Sequence, residues 1–176
     1  MSEQIETLTD IQNPLVKVFA NDEMIPGVNF EEFYKDFYMN FVCPLGIVKI
    51  NKEGKIITVF GCGGNRDKSK RPEMGKIASD LSDVVIVTSD NCRNERKMDI
   101  IIDILKGIEK DDFEVIPNRK EAIKRALSLK KEGDVVVLLG KGHENYEIDS
   151  TGKHYFSEKE IVAEYLYDKN NASYGI

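Results

Sequence analysis

The sequence predicts an α/β fold, in which a mostly parallel sheet carries helices on both of its faces. Three apolar runs, at 56–60, 83–88 and 134–139, are nearly continuous, as is typical of parallel strands that are covered on both sides. Amphipathic segments alternate with these runs, and the loops between them are short. The chain has 176 residues, which is enough for one domain with a substantial core.

The composition is that of a globular protein. Hydrophobic residues make up 41% of the chain and charged residues 32%, and the net charge of −6 argues against a nucleic-acid binder. No apolar run approaches the roughly 20 residues of a membrane helix. Three cysteines, an odd number without a C-x-x-C pair, make a disulfide framework improbable. These features predict a cytoplasmic protein that contacts neither membrane nor nucleic acid.

The amino-terminal part predicts little structure. We interpret residues 1–28 as an irregular segment and residues 29–176 as the α/β domain. Within 30–41, aromatic residues recur at three- and four-residue spacing and predict an amphipathic helix. We expect its aromatic face to pack on the sheet, and the alternative is a groove for a ligand or partner. Residues 47–57 predict a hairpin, with a ragged helix end as the alternative.

The remaining elements follow in chain order from the strand at 56–60. Pro72 suits the first turn of a helix, Asn118 is a good amino-terminal cap, and Ser157 with Glu160 forms a capping box. The predicted elements are a helix at 72–81, a strand at 83–88, a helix at 98–108, a strand at 113–116, a helix after Asn118, a strand at 134–139, a short strand at 146–148, a turn at 150–153 and a final helix after Ser157.

The first loop, residues 61–71, follows the first strand and combines glycines with cations. Gly61, Gly63 and Gly64 allow a sharp turn and close approach to main-chain N–H groups. Arg66, Lys68, Lys70 and Arg71 follow in a chain that is acidic overall. The pattern predicts an anion site at a strand end, and the alternative is a solvated helix entrance. Cys62 is interpreted as a small space-filling residue rather than a reactive thiol.

Two further strand-end loops carry unusual chemistry. The second loop, residues 89–93, holds Asp90, Asn91 and Arg93, and the third loop, residues 140–144, holds Gly140, Lys141, His143 and Glu144. Carboxyl ends of parallel strands share one edge, so all three loops are predicted to form one site. Both signs of charge suit a zwitterion such as an amino acid. The alternative is that Arg66–Asp90 and Arg93–Glu144 are structural salt bridges.

Other site types fit less well. The first loop resembles a dinucleotide fingerprint, but Arg66 stands where the third glycine belongs. No G-x-x-x-x-G-K-[ST] motif occurs. With only His143 and His154 available, and no clustered ligands, a metal site is not expected.

Three motifs in register resemble one known family. These are Val-Phe-Gly-Cys-Gly-Gly-Asn-Arg-Asp-Lys-Ser-Lys-Arg-Pro at 59–72 with Met-Gly at 74–75, Thr-Ser-Asp-Asn-Cys-Arg at 88–93, and Gly-Lys-Gly-His-Glu at 140–144. In order and spacing they are similar to the carboxyl-terminal domain of the MurE family of Mur ligases, the UDP-N-acetylmuramoyl-tripeptide synthetases. The resemblance is strongest over 55–167.

The resemblance implies a Rossmann-like α/β domain that binds the amino acid added to the UDP-N-acetylmuramoyl peptide in ATP-dependent peptidoglycan precursor synthesis. It implies substrate contacts by Arg66, Asp90, Asn91, Arg93, Gly140 and Glu144. An arginine at position 93 resembles the meso-diaminopimelate type, in which the guanidinium would hold the distal carboxylate. Asp90 and Glu144 would then take the distal ammonium. Gly61, Gly63, Gly64 and Lys68 form the accompanying anion loop, and no residue is assigned a catalytic role.

Departures from the family limit what the chain is expected to do. Cys92 replaces the proline of the usual Asp-Asn-Pro-Arg loop, which would free the loop and displace Arg93. The P-loop ATPase and UDP-sugar domains of a full enzyme have no counterpart in the sequence. We therefore expect no cofactor in this chain, ATP and Mg²⁺ being used by the full enzyme, and catalysis only with a separate ATPase half. The alternatives are a decayed or accessory protein that acts through the aromatic helix at 30–41, or a small nucleotide-binding module.

Overall fold

The computed structural model describes residues 54–141 and 144–173. The predicted irregular segment at 1–28, the aromatic helix at 30–41 and the first strand of the hairpin lie outside these residues. His143 of the third loop also lies outside them. Within the described residues no helix is long and apolar enough to cross a membrane.

The described chain forms a four-stranded parallel sheet with helices on both faces, which confirms the predicted fold class. The elements are β1 (Ile56–Phe60), α1 (Lys70–Leu81), β2 (Val84–Val87), α2 (Lys97–Leu105), β3 (Phe113–Val115), α3 (Arg119–Leu129), β4 (Val135–Leu139), β5 (Tyr146–Asp149), β6 (Gly152–Tyr155) and α4 (Glu158–Ser173). The strands lie in the order β3-β2-β1-β4, and a separate antiparallel hairpin pairs β5 with β6.

The central strand β1 is buried along its whole length, as its continuous apolar run predicts. Ile56 and Phe60 face the core formed with α1 and α2, whereas Ile57 and Val59 face the core formed with α3. The helix α4 packs on α3 through a third cluster that contains Ile161. Helices therefore cover both faces, and the carboxyl edge of the sheet is left for the loops.

Two helix starts follow their predicted caps. The Asn118 side chain accepts a hydrogen bond from the Glu121 N–H at 3.3 Å, and the Ser157 hydroxyl oxygen accepts one from the Glu160 N–H at the same distance. Capping satisfies main-chain donors that have no partner inside the helix. The predicted caps at Asn118 and Ser157 are confirmed, while the Glu160 carboxylate accepts from the Tyr155 hydroxyl.

Several element boundaries differ from the predictions by one to three residues. Helix α1 begins at Lys70, so Pro72 is its third residue rather than its first. Helix α2 ends at Leu105, because the chain then tightens through a hydrogen bond from Gly107 N–H to the Ile104 carbonyl. The turn predicted over 150–153 is shorter, since the Asp149 carboxylate accepts from both the N–H and the hydroxyl of Thr151. The chain therefore reverses early, and β6 resumes at Gly152.

The outer strand β3 is short and carries a charged side chain. It spans three residues, all of them half-buried. Glu114 in the middle of the strand accepts hydrogen bonds from the guanidinium of Arg125 on α3, the shortest at 2.8 Å. The charged pair thus lies beside an edge of the sheet.

Candidate functional site

The first and second loops touch through their main chains. The Gly64 N–H donates to the Asn91 carbonyl at 2.9 Å. A β-carbon at position 64 would lie only 1.9 Å from the Cys92 carbonyl oxygen, so only glycine permits this approach. The loops that follow β1 and β2 are therefore packed directly against each other, as the shared sheet edge predicts.

The side chains of Arg66 and Arg93 both approach Gly63. A β-carbon at Gly63 would be 2.9 Å from Arg93 Nη1 and 3.5 Å from Arg66 Cγ. Arg66 is exposed and makes no hydrogen bond with a residue that the structure describes. Two cationic side chains from different loops are thus brought together beside the glycine turn.

Arg93, which follows Cys92, makes hydrogen bonds through both its main chain and its side chain. Its backbone is left-handed, with φ of 51°, a conformation that non-glycine residues adopt mainly at constrained sites. Its N–H donates to the Ile148 carbonyl at 3.0 Å, and Nη1 donates to Gly64 O at 2.8 Å and Asn91 O at 3.2 Å. Nε and Nη2, which form one edge of the guanidinium, make no hydrogen bond within residues 54–141 and 144–173.

Asn91 joins the second loop to the third loop and the hairpin. Its Oδ1 accepts from Lys141 Nζ at 3.1 Å and from the Ile148 N–H at 2.9 Å, and its Nδ2 donates to Glu144 Oε2 at 2.9 Å. The residue is buried. Most of the hydrogen-bonding groups of its side-chain amide are therefore bonded to the protein itself. The bond from Nδ2 orients Glu144.

Asp90 shares a buried ion pair with Lys141. Asp90 Oδ1 lies 3.3 Å from Lys141 Nζ and accepts from the Asn91 N–H at 2.7 Å. Its other oxygen, Oδ2, faces Gly140, where a β-carbon would approach to 3.0 Å. Gly140 has φ of +113°, which L side chains rarely adopt. Glycine at this position leaves space beside the second carboxylate oxygen.

Glu144 is half-buried, and its Oε1 makes no hydrogen bond with the described part of the chain. The alternative salt bridges are not seen there. Asp90 pairs with Lys141 rather than with Arg66, and Arg93 donates to carbonyl groups rather than to Glu144. Within the described residues, Arg93 Nε and Nη2 and Glu144 Oε1 therefore make no hydrogen bond, while the other atoms of these two groups help to hold the loops together.

The predicted anion loop uses several of its donors internally. The Gly64 and Asn65 N–H groups donate to Asn91 O and to Glu95 Oε1, respectively. Lys68 is mostly exposed and pairs with Glu95 Oε2 at 3.2 Å. Gly61 packs closely against the main chain that follows β2. Anion binding by Gly61, Gly63, Gly64 and Lys68 stays a prediction.

The sequence did not identify Arg71, Glu95 and Arg119 as residues that connect the loops. Arg71 is buried and bonds Glu95, which lies just beyond the second loop. Arg119 is also buried and donates to the carbonyls of Ser89, at 3.1 Å, and Leu139, at 2.7 Å. The available signal was weak, because a charged residue near a helix start is usually solvated.

The two cysteines of the first and second loops are buried thiols. Burial raises the pKa of Cys62 to about 12, and its Sγ lies 3.4 Å from Met74 Sδ. Burial also raises the pKa of Cys92. A neutral, enclosed thiol agrees with the space-filling interpretation of Cys62. Within 54–141 and 144–173, no group of three His, Cys, Asp or Glu side chains is arranged to hold a metal ion.

Comparison with protein families identifies the architecture. Residues 46–142 match the family described as Mur ligase, glutamate ligase domain. The chain belongs to the Mur ligase family. The match covers all three site loops up to Gly142, and the parallel sheet with its strand-end loops is the framework of this Mur ligase domain.

Individual proteins similar to this chain are named as UDP-N-acetylmuramoyl-L-alanyl-D-glutamate–2,6-diaminopimelate ligases. The chain is 44% identical over 169 residues to UDP-N-acetylmuramoyl-L-alanyl-D-glutamate–2,6-diaminopimelate ligase 1 of Clostridium acetobutylicum, covering 92% of this chain and 35% of that protein. It is 52% identical over 119 residues to the corresponding ligase of Aquifex aeolicus, covering 67% of this chain and 24% of that one. A solved structure of such a ligase matches with a TM-score of 0.71 and 36% identity, over 74% of this chain and 27% of that chain. The chain thus spans about a quarter to a third of the relatives that it matches.

Proposed function

We propose that this Mur ligase domain binds the amino acid, meso-diaminopimelate or a close analogue, that a MurE-type ligase adds to the UDP-N-acetylmuramoyl peptide. One observation carries the proposal. Arg66 and Arg93 converge beside Gly63, and Asn91 links Arg93 to the carboxylate of Glu144. Cationic and anionic groups with spare capacity therefore stand on the same sheet edge. The names of the relatives support diaminopimelate as the ligand.

Each pole of the ligand has a matching group in the proposal. The free Nε–Nη2 edge of Arg93 can bond both oxygens of a distal carboxylate, since a guanidinium presents its donors as a planar fork. Glu144 Oε1 and Asp90 Oδ2 are the acceptors for the distal ammonium group. Lysine lacks the distal carboxylate, so it would leave the Arg93 edge unpaired. We therefore expect preference for diaminopimelate over lysine.

The proposed role in the reaction is positioning of the attacking amine. Activation of the peptide carboxylate by ATP and Mg²⁺ belongs to the ATPase half of the family. The sequence has no P-loop motif, the feature that would hold the phosphates of ATP. We propose that an ATPase half outside these 176 residues supplies it. The free thiols Cys62 and Cys92 support a reducing, cytoplasmic setting.

Calorimetric titration tests the proposal directly. The purified chain is titrated with meso-diaminopimelate, L-lysine and ATP in separate experiments. We expect heat with diaminopimelate, and an Arg93→Ala variant should lose about 1.5–3 kcal/mol of binding free energy, the range for a charge-assisted contact. Arg96→Ala is the matched control, because Arg96 is three residues away and its side chain is 83% exposed.

The outcomes separate the alternatives. Diaminopimelate binding that is lost in Arg93→Ala and kept in Arg96→Ala establishes the acceptor site. Binding of ATP alone would instead indicate a nucleotide module. If no ligand binds, the titration is repeated with a Mur ligase ATPase half present, and continued absence of heat would refute the proposal. Thermal unfolding of Arg93→Ala shows whether the variant is folded, since Arg93 also contacts Gly64.

A further inference from the structure

Arg71 is a buried arginine that contacts the first loop, the second loop region and helix α2 at once. Only 1% of its side chain is exposed. Its Nη1 and Nη2 donate to the two carboxylate oxygens of Glu95, each at 3.0 Å, so the pair is bidentate. Nη1 also donates to Asp103 on α2 at 3.0 Å, and Nη2 to the Gly63 carbonyl at 3.3 Å. The guanidinium thus fixes Glu95 relative to the glycine turn.

Glu95 carries this connection back to the main chain of the first loop. Its Oε1 accepts from the Asn65 N–H at 2.6 Å. Asn65 has φ of 53°, the left-handed conformation, and it directly precedes Arg66. Hydrogen bonds from Arg71 and from the Asn65 N–H lower the pKa of Glu95 to about 2, so the carboxylate is ionised at neutral pH.

The direction in which Arg66 leaves the turn depends on the conformation at Asn65. A left-handed residue can relax to the commoner regions of φ unless other contacts retain it. Three contacts hold this part of the turn: the Asn65 N–H donates to Glu95, the carbonyl of the same Gly64–Asn65 peptide accepts from Arg93 Nη1, and the Gly64 N–H donates to Asn91. Through its bond to the Asn65 N–H, Glu95 is therefore placed to influence where the Arg66 side chain lies relative to Arg93.

We propose that Glu95, held by Arg71, is a positioning residue of the amino-acid site, which sets the glycine turn so that Arg66 and Arg93 face the same ligand. The proposal rests on the proposed function for its ligand, but its structural part does not. Glu95 touches no ligand in this arrangement. It acts through Asn65, and its loss should loosen the turn without removing any group that contacts the ligand.

Asp103 provides a matched control. Like Glu95, it is a carboxylate that accepts from Arg71 Nη1 at 3.0 Å, and its side chain is similarly exposed, at 22% against 17%. Unlike Glu95, it lies on α2 and accepts no hydrogen bond from the main chain of residues 61–69. Asp103→Asn and Glu95→Gln each remove one negative charge that pairs with Arg71. Only Glu95→Gln also changes the group that accepts from the Asn65 N–H, so only this variant should disturb the glycine turn.

Two readouts test the inference in the full chain. Amide hydrogen exchange is followed in peptides that cover 61–68, and meso-diaminopimelate binding is followed by calorimetry. Glu95→Gln should speed exchange in these peptides and weaken binding by about tenfold, the effect of one charge-assisted hydrogen bond. Asp103→Asn should lower the melting temperature but leave exchange at 61–68 and the affinity within about twofold of the unmodified chain.

The results distinguish this inference from the proposed function. Equal binding and equal exchange in Glu95→Gln and the unmodified chain would show that Glu95 is a structural ion pair only. Equal losses of affinity in Glu95→Gln and Asp103→Asn would also overturn the inference, because general destabilisation would explain both. If the unmodified chain binds no diaminopimelate, the proposed function fails, and the exchange data alone decide whether Glu95 holds the turn. Far-ultraviolet circular dichroism confirms that each variant is folded.

Discussion

Arg71 and Arg119 are two buried arginines on opposite faces of the sheet, and each joins segments near the carboxyl ends of the strands. Arg71 lies on α1 and donates mainly to the carboxylates of Glu95 and Asp103. Arg119 begins α3 and donates to one carboxylate, Glu158, and to the carbonyls of Ser89 and Leu139. One arginine therefore binds partners with side-chain charge, and the other binds the main chain where β2 and β4 end.

The exposure of the partner groups predicts how much each arginine contributes to the free energy of unfolding. Glu95 and Asp103 are 17% and 22% exposed, so water can solvate them if Arg71 is lost. Glu158 is 10% exposed, and strand-end carbonyls that lose Arg119 have less access to water. Buried polar groups without partners are costly. Arg119 should therefore matter more for stability, and Arg71 more for the geometry of the glycine turn.

The largest expected effect is that of Arg119→Met. It leaves Glu158 without its ionic partner and removes donors from the Ser89 and Leu139 carbonyls. Loss of one member of a buried pair costs about 3–5 kcal/mol, and urea unfolding measures it. Arg125→Gln, on the same helix but 45% exposed, is the control, and we expect it to cost less than about 1 kcal/mol. Equal costs for the two variants would contradict the role of Arg119.

Arg71→Met should have the second-largest effect. We expect a loss of about 2 kcal/mol, less than for Arg119→Met because the carboxylates left behind can be hydrated. The same urea titration measures it. If Arg71→Met proved more destabilising than Arg119→Met, the ranking drawn from partner exposure would be wrong.

Acid should weaken the contacts of Arg71, because it protonates the Glu95 carboxylate. Arg71 donates to this carboxylate and lowers its pKa from 4.5 to about 2. A depressed folded-state pKa stabilises the fold above the unfolded value, and that stability is lost as the pH falls from about 4.5 towards 2. Asp149, whose pKa is lowered to about 2 chiefly by the Thr151 hydroxyl, adds to the same window. As the pH is lowered through this window, the melting temperature should fall less steeply for Glu95→Gln than for the unmodified chain. Parallel curves for the two proteins would show that Glu95 does not cause the loss of stability in acid.

The smallest expected effect concerns Cys62, which lies close enough to Arg71 to feel its charge. Burial nevertheless raises the pKa of this thiol to about 12. We expect no alkylation of Cys62 in the native protein at neutral pH, and full alkylation after unfolding in urea. Peptide mapping by mass spectrometry distinguishes Cys62 from the other cysteines. Rapid native labelling would show that the glycine turn opens readily.

Much of the fold follows from local patterns in the sequence. The continuous apolar run of β1 predicts a strand covered on both faces, and Asn118 and Ser157 predict helix starts, because each signal involves residues close in the chain. The strand β6 was missed, because Gly152 and Lys153 carry no apolar alternation and the turn before them depends on the Asp149 side chain.

The candidate site was predictable by position but not by internal bonding. Strand-end motifs placed the three loops at one edge because parallel strands end together. The contacts of Arg71 join residues 24 and 32 positions apart, and its ion pairs depend on how α1 and α2 pack. The same holds for the Asn91–Lys141 contact across 50 positions. No spacing rule of a single helix or strand relates such residues, so sequence patterns could not identify these partners.

The short outer strand β3 also bears on how copies of the domain meet. A sheet edge offers unpaired main-chain groups that can recruit a strand from another molecule. Among the strands that the structure describes, β3 is the outer strand on one side of the sheet; it is only three residues long and carries the Glu114–Arg125 ion pair. A foreign strand would find few consecutive partners and would have to displace hydrated charges. The feature should protect the domain from edge-to-edge aggregation at the high concentrations reached during expression.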